Sequence, residues 1–139
     1  MNKVEIPVRF NDCDMLGHVN NAMYLTYFET GRLGLFKIFN PTLDISKWNL
    51  IVASVKCDYI HEINYGQTIT VYSWISRLGR SSFDIEHAIL DENGRWAARG
   101  KVVMVHYNFK EKKAMPLTDS IKSQLLELQQ KPEGVPSLQ

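Results

Sequence analysis

An apolar run between residues 23 and 39 constrains the fold of this chain more than any other segment. Its apolar residues recur at helical spacing and spread over more than one face of the predicted helix: Met23, Tyr24, Leu25, Tyr27, Phe28, Leu33, Leu35, Phe36, Ile38 and Phe39. Asn20 or Asn21 can cap the start of this helix. A helix that is apolar on several faces must be covered by other elements. The run therefore predicts a helix buried within the domain.

The segments around this helix are suited to cover it as strands. They are rich in β-branched and aromatic residues or alternate at period two, and turn residues separate them. The predicted strands after the helix are residues 51–60, 68–75, 82–90 and 96–109. An alternating stretch, Val4–Phe10, predicts an earlier strand, which Pro7 places at a sheet edge. A short C-terminal helix can begin at a cap, Thr118 or Asp119.

One sheet curled around one helix is the simplest architecture for this order of elements. We expect an α+β domain in which a curved antiparallel sheet of about five strands wraps around one long central helix, with a short C-terminal helix. The length of 139 residues fits one domain. We assign residues 1–130 to this domain and expect residues 131–139 to form a flexible C-terminal tail.

Composition narrows the classes of function. A formal net charge of +1 gives no global reason to expect nucleic acid as a partner. Two cysteines, Cys13 and Cys57, make neither a disulfide framework nor a zinc site. No stretch approaches the roughly 20 apolar residues of a membrane span, and the N-terminus lacks a signal-peptide pattern. These features predict a cytoplasmic protein with no nucleic-acid or membrane partner.

The segment of residues 11–21 contains the side chains best suited to chemistry. It places Asp12, Asp14 and His18 just before the predicted helix, together with several asparagines. Backbone N–H groups in a first helical turn lack partners and can polarise a carbonyl group. A carboxylate beside them could act on that carbonyl as a nucleophile or general base. The segment is therefore a candidate active site.

Two motifs extend this segment: Arg9-Phe10-x-Asp12-x-Asp14-x-x-Gly17-His18-Val19-Asn20-Asn21-x-x-Tyr24 and Phe28-Glu29-x-x-Arg32. Together with the element order, they resemble hot-dog-fold acyl-CoA thioesterases of the 4-hydroxybenzoyl-CoA thioesterase type. The resemblance implies a hot-dog fold and hydrolysis of an acyl-CoA to free acid and coenzyme A. It implies no cofactor and no metal, and coenzyme A enters only as part of the substrate. It also implies a homodimer or homotetramer that pairs an exposed sheet edge.

The resemblance also implies roles for the loop residues. Asp14 matches the aspartate that attacks the thioester carbonyl or activates water against it, and the backbone N–H of Asn21 matches the donor that polarises this carbonyl. His18 could hydrogen-bond Asp14 or a water, or could only tie the loop to backbone. The name-giving aryl-CoA enzymes lack the His18–Asn21 sequence, which resembles thioesterases of fatty acyl-CoA or acyl carrier protein. We therefore expect an aliphatic acyl group.

Further residues are candidates for substrate binding or for structure. The expected substrate-binding residues are Gly17, Asn20, Tyr24, Tyr59, Arg77, Arg80, Ser81 and Ser82. The basic turn among them suits a phosphate of coenzyme A, whereas aromatic residues, including Phe28, can equally be core. Asp12 is expected to shape the loop. Glu29 is the reserve catalytic carboxylate, with an ion pair to Arg32 as its structural alternative.

Two non-enzymatic hypotheses stay open from the sequence. In the first, the chain binds acyl-CoA or an acyl carrier protein without hydrolysing it, and Asp14 only holds the loop. In the second, the chain is a structural dimer domain without a thioester ligand. Release of a free thiol separates the enzyme from the first hypothesis, and titration with coenzyme A separates the first from the second.

Overall fold

An antiparallel sheet forms the larger layer of the computed structural model, which describes all 139 residues. Its strands are β1 (Asn2–Pro7), β2 (Leu50–Tyr59), β3 (Thr68–Leu78), β4 (Ser82–Leu90) and β5 (Trp96–Asn108), and a short β6 (Lys113–Ala114) pairs with the end of β5. The spatial order is β1-β3-β4-β5-β2. The sheet is curved, so the predicted α+β architecture is confirmed.

The helices are α1 (Met23–Gly31), α2 (Leu33–Phe39) and α3 (Asp119–Leu126). The run expected to be one long helix is divided at Arg32, whose φ of −102° and ψ of 5° depart from helical values. At this break the Arg32 side chain turns into the interior. The predicted cap of α3 is formed by Thr118, whose hydroxyl accepts from the N–H of Ile121 at 3.2 Å. None of the helices combines the length and the hydropathy needed to cross a membrane.

Helix α1 packs closely on the sheet. Phe28 is buried, and its ring stacks on the imidazole of His87 at 4.9 Å between centroids. Gly100 lies under the same ring, and a Cβ at this position would overlap it. The sheet therefore covers the apolar helix as the sequence predicts, and a glycine makes the close approach possible.

The two edges of the sheet are β1 and β2. Pro7 lies in β1, as expected for a residue that cannot donate to a ladder. β2 is largely exposed, and Val52 and Val55 are each 45% exposed. Leu25, on α1, is also exposed. The β2 edge of the sheet therefore combines backbone groups that no strand pairs with exposed apolar side chains.

The segment of residues 131–139 lies against the face of the sheet that points away from α1. Pro132 is buried, the carbonyl of Pro136 accepts from Arg99, and the N–H of Gln139 donates to Asp58 Oδ2 at 2.8 Å. The guanidinium of Arg99 also lies 5.0 Å from the centre of the Trp74 ring. The expected flexibility of this segment stays a prediction, and these contacts are the ones that a flexible tail would have to break.

Candidate active site

The loop before α1 is folded back on itself and attached to the segment before β3. The N–H of Asp14 donates to the carbonyl of His18 at 2.8 Å, and the N–H of Gly17 donates to the carbonyl of Asp14 at 3.1 Å. Gly17 has a φ of +78°, a left-handed conformation that glycine adopts without steric cost. The N–H of Tyr65 donates to the carbonyl of Gly17 at 3.0 Å. These bonds hold the loop in one shape.

The carboxylate of Asp14 is oriented by backbone donors. Its Oδ1 accepts from the N–H of Leu16 at 2.9 Å and from the N–H of His18 at 3.2 Å. Its Oδ2 makes no hydrogen bond within the chain, and the residue is exposed. One oxygen is therefore held by the loop while the other is available to a ligand.

The turn that leads into α1 leaves a backbone donor free. The side chain of Asn20 accepts from the N–H of Ala22 at 3.0 Å, and its carbonyl accepts from the N–H of Met23 at 2.9 Å. Asn20 thus bonds the turn before the helix and the side chain of Asn21 caps nothing. The predicted cap at Asn20 or Asn21 is therefore wrong: the helix begins later, and its N-cap is Ala22, whose side chain makes no capping bond. The N–H of Asn21 makes no hydrogen bond within the chain. A free donor at a helix start suits an anionic oxygen.

A pocket of about 240 Å³ brings together several of the predicted site residues, namely Asp14, His18, Asn21, Tyr24 and Tyr59. The rings of Tyr24 and Tyr59 meet edge to face at 4.9 Å, and the hydroxyl of Tyr59 donates to the carbonyl of Asn21 at 3.0 Å. Burial raises the pKa of Tyr24 to about 12, so its hydroxyl stays protonated near neutral pH. The two tyrosines form one wall of this pocket.

The imidazole of His18 does not bond the carboxylate of Asp14. Its Nε2 lies 3.3 Å from Oε2 of Glu62 instead, and only its backbone N–H reaches Asp14. A hydrogen bond between the two side chains, one of the roles that the sequence leaves open for His18, is therefore absent from this structure. Ile60, His61 and Glu62 also line the pocket. The sequence analysis gives none of the three a role in the site: it places Ile60 at the end of a predicted strand, and the connection that contains His61 and Glu62 has no motif or periodicity.

Asp12 anchors the start of the loop to α1. Its side chain is fully buried and accepts from the N–H of Arg9 at 3.0 Å and from the hydroxyl of Tyr27 at 2.8 Å. Burial favours the neutral acid, but the N–H and guanidinium of Arg9 and the hydroxyl of Tyr27 outweigh it and lower the pKa of Asp12. The residue is ionised, fully bonded and out of reach of solvent, in agreement with its expected role in shaping the loop.

A second groove, of about 490 Å³, is also lined by Asp14. Phe10, Cys13, Met15 and Tyr65 line it. Phe10 is 76% exposed and meets the ring of Tyr65 edge to face at 5.8 Å. Sequence analysis did not identify this groove, since its aromatic walls come from segments far apart in the chain. Asp14 thus lies between two open spaces.

The two thiols are poor candidates for the nucleophile. Burial raises the pKa of Cys57 to about 11. Burial and the neighbouring charges of Asp12 and Asp14 also raise the pKa of Cys13. Because the thiolate is the reactive form, neither cysteine is activated near neutral pH. Asp14 is the better placed group.

The predicted phosphate-binding turn lies far from this pocket within one chain. Arg77 Nη2 donates to Ser82 Oγ at 3.0 Å and to Asp84 Oδ1 at 2.8 Å, so its charge is already paired. Arg80 is exposed and its side chain has no partner. The turn follows the end of β3, whereas the Asp14 loop lies near its beginning, and a strand of this length spans about 35 Å. One chain does not bring the two regions together.

The predicted ion pair between Glu29 and Arg32 is not formed. Glu29 is exposed near the end of α1, and Arg32 is buried and points to His87. Helical spacing allowed the pair, but the chain leaves helical geometry at Arg32. No three or more His, Cys, Asp or Glu side chains are grouped so as to hold a metal ion. The expected absence of a metal stays a prediction.

Comparison with known proteins decides the family. The sequence profile of the thioesterase-like superfamily matches residues 8–125. The chain belongs to this superfamily. YsmA of Bacillus subtilis is 33% identical to it over 122 residues, which are 88% of this chain and 83% of that protein.

Solved structures agree with this assignment. A predicted thioesterase from Bacillus stearothermophilus has a TM-score of 0.91 at 34% identity. The match covers 94% of the chain described here and 98% of the Bacillus stearothermophilus chain. A thioesterase from Thermus thermophilus, solved with coenzyme A and Zn, has a TM-score of 0.81 at 34% identity, covering 94% and 96%. The predicted family, hot-dog fold and thioester hydrolase activity are confirmed.

Proposed function

We propose that this thioesterase hydrolyses aliphatic acyl-CoA in the pocket beside Asp14, and that Asp14 is its catalytic carboxylate. The observation that carries the proposal is the joint placement of Asp14 and Asn21. A carboxylate with one free oxygen lines the same pocket as a backbone N–H without a partner. A thioester there would meet both a base or nucleophile and a donor for its oxygen. The coenzyme A bound by the Thermus thermophilus relative supports this carrier.

Two routes use the same groups. As general base, Asp14 Oδ2 takes a proton from water while the water oxygen adds to the thioester carbon. As nucleophile, Oδ2 adds to that carbon itself, and water then hydrolyses the acyl-aspartyl anhydride. In both routes the N–H of Asn21 stabilises the developing oxyanion, the C–S bond breaks, and the thiolate of coenzyme A takes up a proton. His18 would act as a positioning residue, since its N–H holds Asp14 Oδ1.

We also propose that the working site is completed by a second copy of the chain. Two β2 edges paired about a two-fold axis run antiparallel, so the Tyr59 end of one strand meets the Leu50 end of the other. The turn of residues 77–82 lies at the Leu50 end, because His106 pairs with Leu50 and donates its N–H to the carbonyl of Ser81 at 2.8 Å. The turn of one subunit would therefore approach the Asp14 pocket of the other.

This arrangement gives the basic turn a role that one chain cannot provide. Arg80 has no side-chain partner and would be the first contact for a phosphate of coenzyme A, whereas Arg77 would have to leave Asp84. Replacing Arg80 with glutamine should raise KM for acyl-CoA more than it lowers kcat. The same change should have little effect on a short thioester that lacks the nucleotide.

Thiol release from short, medium, long and aromatic acyl-CoAs tests the assignment of Asp14. Asp14→Asn keeps the size of the side chain and an oxygen for the N–H groups of Leu16 and His18, but it removes the base. We expect kcat to fall at least about 100-fold with the fold intact. The matched control is Asp44→Asn, at an exposed turn away from the pocket, which should keep full activity.

Each other outcome would contradict a named part of the proposal. Equal activity of the wild type and Asp14→Asn would move the chemistry away from Asp14, and Glu29→Gln would then be measured. Preference for the aromatic substrate would contradict the aliphatic acyl group. No thiol release from any acyl-CoA would contradict the carrier. A fully active monomer by light scattering would contradict the composite site.

A further inference from the structure

A third space lies at the far end of α1 from the Asp14 pocket. Its volume is about 390 Å³, and its walls are mostly apolar, with Phe36, Leu43, Trp48 and Met104 among them. Arg32 and Glu29 are its charged lining residues. We call this space the Arg32 cavity. Since α1 has nine residues, its two ends are about 13 Å apart.

Arg32 is an unpaired cation within this cavity. The residue is only 5% exposed, its Nε has no hydrogen-bond partner, and no carboxylate forms an ion pair with it. Its Nη1 lies 3.4 Å from Nε2 of His87. A buried charge is normally paired, because moving it out of water is costly. This guanidinium therefore has donor capacity that the chain does not use.

The neighbour of Arg32 provides no compensating charge. His87 is fully buried, and Ser73 Oγ lies 2.8 Å from its Nδ1. Burial and the charges of Arg32 and Arg99 lower the pKa of His87 well below its ordinary value, so the imidazole is neutral near pH 7. Glu29 is the acidic group whose charge acts on Arg32, but it is exposed and forms no ion pair with the guanidinium. The buried charge of the cavity is therefore the guanidinium of Arg32, and the carboxylate of Glu29 lines the cavity from an exposed position.

We propose that the Arg32 cavity binds an aliphatic carboxylate, with the carboxylate on Arg32 and the alkyl chain along the apolar walls. The ligand class follows from the pairing of one buried guanidinium with an apolar space of ligand size. A phosphate dianion fits less well, because the cavity has a single cation and a carboxylate at its rim. The inference rests on the proposed function in one respect: a carboxylic acid is what thioester hydrolysis releases.

Binding of decanoate, measured by calorimetry without turnover, tests this proposal. Decanol is the matched ligand, since it has the same chain and no charge. We expect the wild type to bind decanoate at least about 10-fold more tightly than decanol, and Arg32→Met to lose this difference. Lys110→Met, which removes an exposed cation that does not line the cavity, should leave both affinities unchanged.

If Arg32→Met fails to fold, two substitutions of opposite charge at the mouth of the cavity provide a second test. Leu43 is 39% exposed and lines the cavity, so a charged side chain is tolerated there. Leu43→Glu should weaken decanoate binding several-fold and Leu43→Lys should not, while decanol binding should change equally in both. Equal effects of the two changes on decanoate would overturn the proposal.

Two further results would overturn it. The first is equal affinity of the wild type for decanoate and decanol. The second is a change of decanoate affinity in Asp14→Asn, since that would place the ligand in the catalytic pocket. Thiol release by the wild type is measured separately. If it persists while decanoate fails to bind, the cavity proposal fails and the thioesterase proposal stands.

Discussion

Replacement of Asp12 by alanine tests whether a buried carboxylate holds the catalytic loop to α1. Its Oδ2 accepts from the hydroxyl of Tyr27 at 2.8 Å and from the N–H of Arg9 at 3.0 Å. Alanine leaves the buried hydroxyl without an acceptor. A hydrogen bond to a charged group contributes about 1.5–3 kcal/mol, and an unsatisfied buried donor costs about 1–3 kcal/mol. We therefore expect Asp12→Ala to lower the free energy of unfolding by about 3 kcal/mol.

A double-mutant cycle with Tyr27→Phe isolates this interaction. Tyr27→Phe alone should cost about 1.5 kcal/mol, because Asp12 keeps its bonds to Arg9. In the double variant no hydroxyl is left unsatisfied, so the total loss should be smaller than the sum of the single losses by about 1.5 kcal/mol. Urea unfolding followed by circular dichroism measures all four proteins. Additive losses would refute the reasoning. Asp44→Ala, at an exposed cap, should cost only about 0.5–1 kcal/mol.

The same carboxylate predicts a dependence on pH. Despite burial, the hydrogen bonds from Arg9 and Tyr27 lower the pKa of Asp12 in the folded protein. A carboxylate with a lowered folded pKa contributes fully above its unfolded pKa of roughly 3.9, and the contribution is lost as pH falls through the folded value. The stability difference between the wild type and Asp12→Ala should hold from neutral pH to about pH 5 and shrink below about pH 4. A difference that grows on acidification would contradict this account.

Three smaller perturbations test other parts of the fold. Gly100→Ala places a Cβ against the ring of Phe28 and should destabilise the protein by about 1–3 kcal/mol, measured by thermal unfolding. An unchanged unfolding midpoint would show that α1 can move away from the sheet without loss of stability. Gly17→Ala meets no atom but must adopt a φ of +78°, so it should cost about 1 kcal/mol and lower kcat/KM. Removal of residues 132–139 should increase iodide quenching of Trp74 fluorescence, and unchanged quenching would indicate a mobile tail.

Much of the architecture could be predicted because its signals are local. The apolar run of α1 and α2 and the alternation in β4 each reflect one period that residues a few positions apart share. The edge position of Pro7 follows from its missing N–H. The division of the helix at Arg32 could not be predicted in this way. At this break the Arg32 side chain meets His87, a residue 55 positions away that only the folded sheet brings close.

The candidate site shows the same limit. The chemistry of Asp14 and the helix start after Asn20 can be identified from residue types and a family motif. The partner of His18 could not, since Glu62 lies in a connection without a pattern. The basic turn was a reasonable phosphate site by composition, yet β3 separates it from Asp14 within one chain.

The sequence by itself determined that an apolar helix must be enclosed by strands and that a carboxylate lies just before it, because periodicity and motif are properties of neighbouring residues. Tertiary structure alone decided which groups remain unpaired. The free oxygen of Asp14, the free N–H of Asn21 and the unpaired guanidinium of Arg32 are each defined by what other segments do or do not bring within hydrogen-bond distance. Such distances depend on strand order and chain reversal, which no local pattern encodes.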